Sequence, residues 1–181
     1  NEENFIGIVH KKLKHKHKQM AYWSKHGPVI KGVNSTYAVR YSNMNNLLAI
    51  EQWYRMNKAN NFKDWKNAIE TLSVPMFNTG YADKEGNIYY VYGAKTPKRN
   101  TKYDWQKVLP GNTSETLWSE YELFENLPQV LNPESGFIQN CNSTPFQTTI
   151  GPENPSSENF NSNYGIETHM TNRALRAIET I

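Results

Sequence analysis

The chain has 181 residues and a mass of 21.0 kDa, which allows one domain with a hydrophobic core and is too little for most multidomain enzymes. Hydrophobic residues make up only 37% of the sequence while aromatic residues reach 13%, so we expect a folded protein with long polar loops. The single cysteine, Cys141, excludes an intrachain disulfide and a cysteine-based zinc site, and no apolar stretch is long enough to span a membrane.

The net charge of +3 depends on one local run of lysines. Five lysines stand between positions 11 and 18, and without them the net charge would be −2. Nucleic-acid-binding proteins usually spread their basic residues over a whole face and interleave them with aromatic side chains. The composition therefore favours a protein with no nucleic-acid partner, and a basic nucleic-acid-binding arm at this run is a lesser alternative.

The first segment, residues 5–20, has the alternation expected of a β-strand. Its lysines are typical of an exposed edge strand, where positive charge discourages pairing with other chains. His10, His15 and His17 fall in the same segment, and we interpret them as solvated polar groups. His15 and His17 would share one strand face, but no third ligand is visible, so we predict no metal site there.

Two strands and two helices are predicted next. A turn at 26–28 leads into a strand, and a second strand follows near 37–41. Apolar residues then recur at helical spacing in two stretches, 47–57 and 62–72, and Asn61 can cap the second. We expect the apolar stripe of each helix to face the core.

A β-hairpin is predicted over residues 76–92, with its turn at 82–87. Asp83 and Gly86 suit the polar and positive-φ positions of such a turn. An aspartate in a turn usually has a structural role, so Asp83 is not a catalytic candidate.

The last third of the chain should be rich in loops. We expect a loop over 93–118, a further pair of strands over 130–142, and another loop over 149–165, where proline, serine, asparagine and glycine are frequent. Thr171 can cap a short final helix whose apolar side includes Ala174.

Four segments stand in a distinctive order along the chain. They are HGPV followed by YAVR (26–40), PMFN leading through ADKEGNI to PKR (75–99), LPQVLNPESGFIQNCNSTP (127–145) and NRALRAI (172–178). This ordered set resembles the penicillin acylase (penicillin amidase) family, which includes penicillin, cephalosporin, aculeacin and acyl-homoserine-lactone acylases. The NCNSTP version is most similar to the aculeacin and acyl-homoserine-lactone members, which favours an aliphatic acyl chain.

The resemblance implies an α+β fold, namely part of the αββα four-layer sandwich of the N-terminal-nucleophile (Ntn) hydrolases, with antiparallel sheets, flanking helices and long loops. Family members are cut autocatalytically from one precursor, and the new N-terminal residue of the β chain, usually Ser, attacks the amide. Residues 1–181 would be a single partial domain from the middle of such a β subunit. The implied partners are the α chain, the rest of the β chain and a small N-acyl amide.

The implied activity is removal of the acyl side chain from a β-lactam, an acyl-homoserine lactone or a related amide, with no cofactor required. Asn1 lacks the hydroxyl or thiol that an N-terminal nucleophile needs, so this chain alone is expected to be inactive. The family's usual location implies a periplasmic or secreted protein. Some members hold a structural Ca²⁺, and Pro110 with Glu153 or Glu158 lies in comparable stretches.

Amide hydrolysis passes through a tetrahedral intermediate whose oxygen becomes negative, and fixed hydrogen-bond donors lower the barrier. In the family one donor is a side-chain amide just before Ser/Asn-x-Pro, which the resemblance assigns to Asn142. An Arg of the following helix orients this group, and Arg173 matches it better than Arg176. The alternatives are an ordinary loop-capping Asn and a solvated helix charge. Cys141 is expected to pack rather than to act as a nucleophile.

A second hypothesis is a non-enzymatic module that binds carbohydrates or peptides through aromatic side chains on its sheet. The orientation of Trp53, Trp65, Trp105 and Trp118 separates the two hypotheses. An open groove lined by these rings would favour a binding module, whereas burial of the rings would remove its basis.

Overall fold

A computed structural model of the chain describes residues 2–10, 13–74, 76–93 and 95–181, with side chains from residue 20 onward. The strands are β1 (Glu2–His10), β2 (Leu13–Ser24), β3 (Gly27–Lys31), β4 (Thr36–Ala38), β5 (Phe77–Ala82), β6 (Ile88–Gly93) and β7 (Gln129–Leu131). The α-helices are α1 (Ala49–Lys58), α2 (Phe62–Ile69) and α3 (Asn172–Thr180). All strand pairs are antiparallel, in one sheet of order β1-β2-β3-β4 and another of order β5-β6-β7. The predicted α+β class is confirmed.

The described residues group into two compact units. The first comprises the chain up to Tyr41 together with Leu109–Leu117. The second comprises Ser42–Val108 and Trp118–Ile181, and it holds the second sheet and all three α-helices. The assignment of residues 1–181 to a single partial domain stays a prediction.

The first segment is a hairpin rather than the single edge strand predicted over 5–20. β1 and β2 pair in register from Glu2 opposite Ala21 to His10 opposite Leu13. The residues between the two strands in sequence, Lys11 and Lys12, are not residue types that signal a turn. Alternation with a period of two also cannot distinguish one long strand from two consecutive strands. The prediction was wrong for that reason. The lysine run and the three histidines of this segment lie outside the residues whose side chains are described.

The turn and strand predicted at 26–30 and the strand predicted near 37–41 are confirmed as β3 and β4. Gly27 has a φ of 122°, which a residue with a side chain rarely adopts. The turn is closed by Ser24, whose Oγ accepts the backbone N–H of His26 at 3.1 Å and donates to the carbonyl of Gly27 at 3.2 Å.

The core of the second unit forms where α2 packs on β5 and β6. Trp65 lies 4.8 Å from Tyr81, and Phe62 lies 5.2 Å from Tyr89, between ring centroids. Burial raises the pKa of the Tyr89 hydroxyl far above its ordinary value. The helix begins where the sequence predicted, because Asn61 accepts the backbone N–H of Asp64 at 2.9 Å.

The other predicted helix, α1, forms as expected but turns a different face inward. Its buried residues are Gln52 and Met56, whereas most of the predicted apolar stripe, including Leu47 and Ile50, is exposed. Gln52 Oε1 accepts the backbone N–H groups of residues 73 and 74 at 2.5 and 2.9 Å. The expectation that this stripe faces the core was wrong: the face that carries Gln52 turns inward instead, because these buried backbone N–H groups need an acceptor.

The predicted hairpin over 76–92 is confirmed as β5 and β6. Its turn is built on Asp83, which accepts the backbone N–H of Asn87 and the Tyr81 hydroxyl, each at 2.9 Å. Hydrogen bonds from Asn87 are the largest cause that lowers the pKa of the Asp83 carboxyl. Gly86 adopts a φ of 89°. The structural role predicted for Asp83 is confirmed.

The strand pair predicted over 130–142 is only half formed. β7 is present, but among the described residues no second strand follows it. Instead the backbone N–H of Gln139 donates to the carbonyl of Thr148 at 2.7 Å, and Asn142 has a φ of 56°. The segment that contains Gln139 and Asn142 therefore forms a turn rather than a strand. The stretch 149–165 contains only 3-10 turns and loop, as predicted.

Candidate functional site

Asn142 lies in a tight turn between β7 and α3. Asn140 Oδ1 accepts the backbone N–H of Asn142 at 3.0 Å, and Asn140 Nδ2 donates to the carbonyl of Ser143 at 3.4 Å. The left-handed backbone at Asn142 is a conformation that asparagine adopts more readily than most residues. Ser143 and Thr144 behind it are 0% and 2% exposed. The Asn142 side chain is therefore exposed to solvent, whereas the two residues that follow it are buried.

The start of α3 lies directly beside this turn. Thr171 caps the helix by accepting the backbone N–H of Ala174 at 3.2 Å, as predicted, and Ala174 is fully buried. The backbone N–H of Thr144 donates to the carbonyl of His169 at 3.3 Å. The segment before the helix thus runs alongside the Asn142 turn.

Arg173 binds Asn142 through a single guanidinium nitrogen. Arg173 Nη2 donates to Asn142 Oδ1 at 3.0 Å and to the carbonyl of Cys141 at 3.2 Å. A guanidinium has donors only, so the amide must turn its oxygen toward Arg173 and its nitrogen away. None of the described residues accepts a hydrogen bond from Asn142 Nδ2. Both side chains are exposed.

The structure thus brings Asn142 and Arg173 together and leaves Arg176 apart. Arg176 Nη1 pairs with Glu179 Oε2 at 3.0 Å on the surface of the helix. An outward amide N–H₂ group with a positive charge on its carbonyl side can bind an oxygen that is gaining negative charge. The arrangement is chemically suited to an oxyanion donor.

Sequence reasoning missed two contacts that hold this site. Asn140 was not singled out, although an asparagine two positions before another polar turn residue is a known signal for a side-chain-supported turn. Thr171 was recognised as a helix cap, but its second hydrogen bond, from Oγ1 to the carbonyl of Cys141 at 3.4 Å, has no local sequence signal.

The long loop that leads to α3 is anchored by Arg99. Its Nη1 donates to the carbonyl of Asn163 at 3.0 Å, and its guanidinium lies 5.6 and 5.8 Å from the ring centroids of Trp105 and Trp118. Burial lowers the pKa of this arginine. The anchor fixes the approach of the chain to the helix that carries Arg173.

The tryptophans do not all point to an open groove. Trp65 and Trp118 are only 7% and 9% exposed, and Trp105 packs against Trp118 with a centroid distance of 5.7 Å. Trp53 is the most exposed of the four, at 45%, and its ring packs edge-on against Phe77. The hypothesis of a carbohydrate- or peptide-binding module therefore loses most of its basis.

The carboxylates suggested for calcium fit that role only in part. Glu153 Oε2 is buried and has no hydrogen-bond partner among the described residues, which suits a cation ligand. Glu158 is exposed. The part of the chain whose side chains are described contains no group of three or more metal-binding side chains.

The fold of the chain matches that of a solved structure. It is similar to a thermostable penicillin G acylase from Alcaligenes faecalis, with a TM-score of 0.68 and 24% sequence identity, over 84% of this chain and 28% of that one. The likeness places the chain in the Ntn-hydrolase fold, as predicted. None of the helices in the described ranges is long and apolar enough to cross a membrane.

The chain belongs to the penicillin amidase family, whose sequence model matches residues 6–181. It is 36% identical to penicillin G acylase of Escherichia coli over 93 residues, which is 51% of this chain and 11% of that protein. It is 30% identical to the acyl-homoserine lactone acylase PvdQ of Pseudomonas fluorescens strain Pf0-1 over 88 residues, 44% of this chain and 11% of that protein. The chain thus spans only a small part of these relatives, and the predicted family is confirmed.

Proposed function

We propose that these residues form part of a longer enzyme that hydrolyses the amide bond of an N-acyl substrate. Membership of the penicillin amidase family supports the reaction class. The observation that carries the proposal is the 3.0 Å hydrogen bond from Arg173 Nη2 to Asn142 Oδ1, since it leaves the amide N–H₂ group directed outward.

In the proposed mechanism a nucleophile attacks the substrate carbonyl, and Asn142 Nδ2 donates to the oxygen as it becomes negative. Arg173 holds the amide in this orientation and adds positive charge behind it. The nucleophile is an N-terminal Ser from a part of the enzyme outside these residues, with its own α-amine as the base. An amide does not titrate, so the donor would work over a wide pH range.

The partners in this proposal are the α chain and the rest of the β chain, and the substrate is a β-lactam, an acyl-homoserine lactone or a related amide with an aliphatic acyl chain. The reaction needs no cofactor. If a structural calcium is bound, Glu153 would supply one carboxylate oxygen. We propose a periplasmic or secreted enzyme, and no amidase activity for this chain in isolation.

Replacement of Asn142 in the full-length enzyme tests the proposal. Asn142→Gly removes the donor without straining the left-handed backbone. We expect the turnover number to fall by about 10²- to 10³-fold. Asn142→Asp keeps the shape and loses the N–H₂ group, so it should lose as much. Initial rates with an N-acyl chromogenic amide measure the effect.

Thermal unfolding of each variant provides the control for folding. The glycine variant should melt close to the wild type, because the side chain is exposed and glycine tolerates this backbone. Wild-type turnover in Asn142→Gly would rule out the oxyanion role.

A further inference from the structure

We propose that Thr171 is a positioning residue, whose hydroxyl fixes the start of α3 to the Asn142 turn so that Arg173 reaches the amide. This inference rests on the proposed function of Asn142. Thr171 itself contacts neither Asn142 Nδ2 nor the space in front of it; its effect passes through Arg173.

The hydroxyl of Thr171 makes two hydrogen bonds with opposite roles. Oγ1 accepts the backbone N–H of Ala174 at 3.2 Å and donates to the carbonyl of Cys141 at 3.4 Å. A hydroxyl has one proton, so the donor bond to Cys141 commits it fully. One atom thus both caps the helix and joins it to the residue that precedes Asn142.

The carbonyl oxygen of Cys141 is an acceptor that Thr171 and Arg173 share. It accepts from Thr171 Oγ1 and from Arg173 Nη2, the latter at 3.2 Å. The same Arg173 nitrogen holds Asn142 Oδ1. The register of the helix relative to this carbonyl therefore decides whether Arg173 can contact both groups.

Apart from the bond of Arg173 itself, the other contacts of this segment do not replace that link. The bond from the Thr144 N–H to the carbonyl of His169 lies two residues before Thr171. Ala174 is buried and holds the helix by packing, and its backbone N–H bonds the Thr171 cap rather than the Asn142 turn. Without the hydroxyl, Arg173 would lose its fixed distance to Asn142, and the amide could turn its nitrogen inward.

Four variants of the full-length enzyme separate the effect of losing the link between Thr171 and Cys141 from the effect of destabilising α3. Thr171→Ser keeps both hydrogen bonds, and Thr171→Val removes both. Thr171→Gly removes the link but costs the helix little, because glycine is an acceptable N-cap. Ala177→Gly weakens the interior of α3 and leaves the link intact.

We expect Thr171→Val and Thr171→Gly to lower kcat about tenfold, with KM within about twofold, because misplacing a catalytic group costs rate rather than substrate affinity. Thr171→Ser and Ala177→Gly should stay within about twofold of the wild type in both constants. Steady-state kinetics and a melting curve for each variant supply the data, and Thr171→Gly stands in if Thr171→Val does not fold.

Wild-type kcat in Thr171→Gly, or an equal loss in Ala177→Gly, would overturn the inference. Asn142→Gly is measured in the same assay. If Asn142→Gly is impaired and Thr171→Gly is not, the positioning role alone fails. If Asn142→Gly keeps full turnover, the proposed function fails.

Discussion

Among single residues, Arg173 controls which end of the Asn142 amide faces outward. The oxygen and nitrogen of an asparagine side chain occupy nearly the same volume, so shape alone leaves the two orientations almost equal in energy. A guanidinium can only donate, and its 3.0 Å contact to Oδ1 selects one of them. A side chain without a hydrogen-bond donor at position 173 would not make this selection.

The two arginines of α3 offer a matched comparison. Arg173→Ala should lower the turnover number of the full-length enzyme about tenfold, because the amide loses its fixed orientation. Arg176→Ala should change it by less than about twofold, since Arg176 only pairs with Glu179 at the surface. Steady-state kinetics of the two variants measure the difference, and equal losses would contradict the role of Arg173.

The sequence motifs indicated Asn142 and Arg173, but not what holds them. The bond from Thr171 to the carbonyl of Cys141 joins residues 30 positions apart. A hydroxyl near a helix start predicts a cap, because the N–H group that it accepts is only a few residues away. The position of a distant backbone carbonyl such as that of Cys141 depends instead on the path of the loop that separates the two residues. That path includes the anchor at Arg99, which no periodicity reveals.

Among the helices, α2 was predictable and the orientation of α1 was not. Asn61 and the spacing of Trp65 and Ile69 define both the start and the buried face of α2. In α1 the same kind of spacing marks an apolar stripe, yet Gln52 turns inward. Periodicity shows that a helix has an apolar face but not which neighbour covers it.

Gln52 gives a test at the level of elements. Its Oε1 accepts the Thr71 hydroxyl and the N–H groups of Ser73 and Val74, and the side chain is 2% exposed. Gln52→Leu should lower the free energy of unfolding by about 2–4 kcal/mol, because these buried donors lose their acceptor. Denaturant unfolding of the full-length protein, followed by tryptophan fluorescence, measures the loss.

Asn57→Ala on the same helix is the control for that substitution. Its Nδ2 bonds the carbonyl of Trp53 at 2.7 Å on the exposed side, so the change should stay within about 0.5 kcal/mol. If Gln52→Leu is as mild as Asn57→Ala, the turn after α2 does not depend on the glutamine.

At the scale of the whole molecule, the relevant feature is an exposed apolar stripe along α1 that begins at Leu47, just before the helix. Leu47 and Ile50 are 90% and 82% exposed, and Trp53 packs edge-on against Phe77 with a centroid distance of 6.3 Å. The matched part of the chain covers 11% of the length of each of the two relatives compared. In the proposed enzyme, residues outside this chain would cover the stripe.

Isolated from any longer protein, these residues should therefore associate with themselves. We expect this chain to bind a hydrophobic dye and to elute as oligomers in size-exclusion chromatography. The double substitution Leu47→Lys and Ile50→Lys should reduce both effects. Val108→Lys, at another exposed apolar position, should not. A monomeric chain without dye binding would contradict the expectation.

The outward direction of the Asn142 amide also affects the choice of production host. Residues 142–144, Asn-Ser-Thr, form an acceptor sequence for N-linked glycans. The sugar is attached to Nδ2, the same atom that we propose as the donor, and it would occupy the space that a substrate must enter. A yeast or insect secretion system that glycosylates Asn142 would therefore inactivate the enzyme. Bacteria that lack this modification would export it unglycosylated.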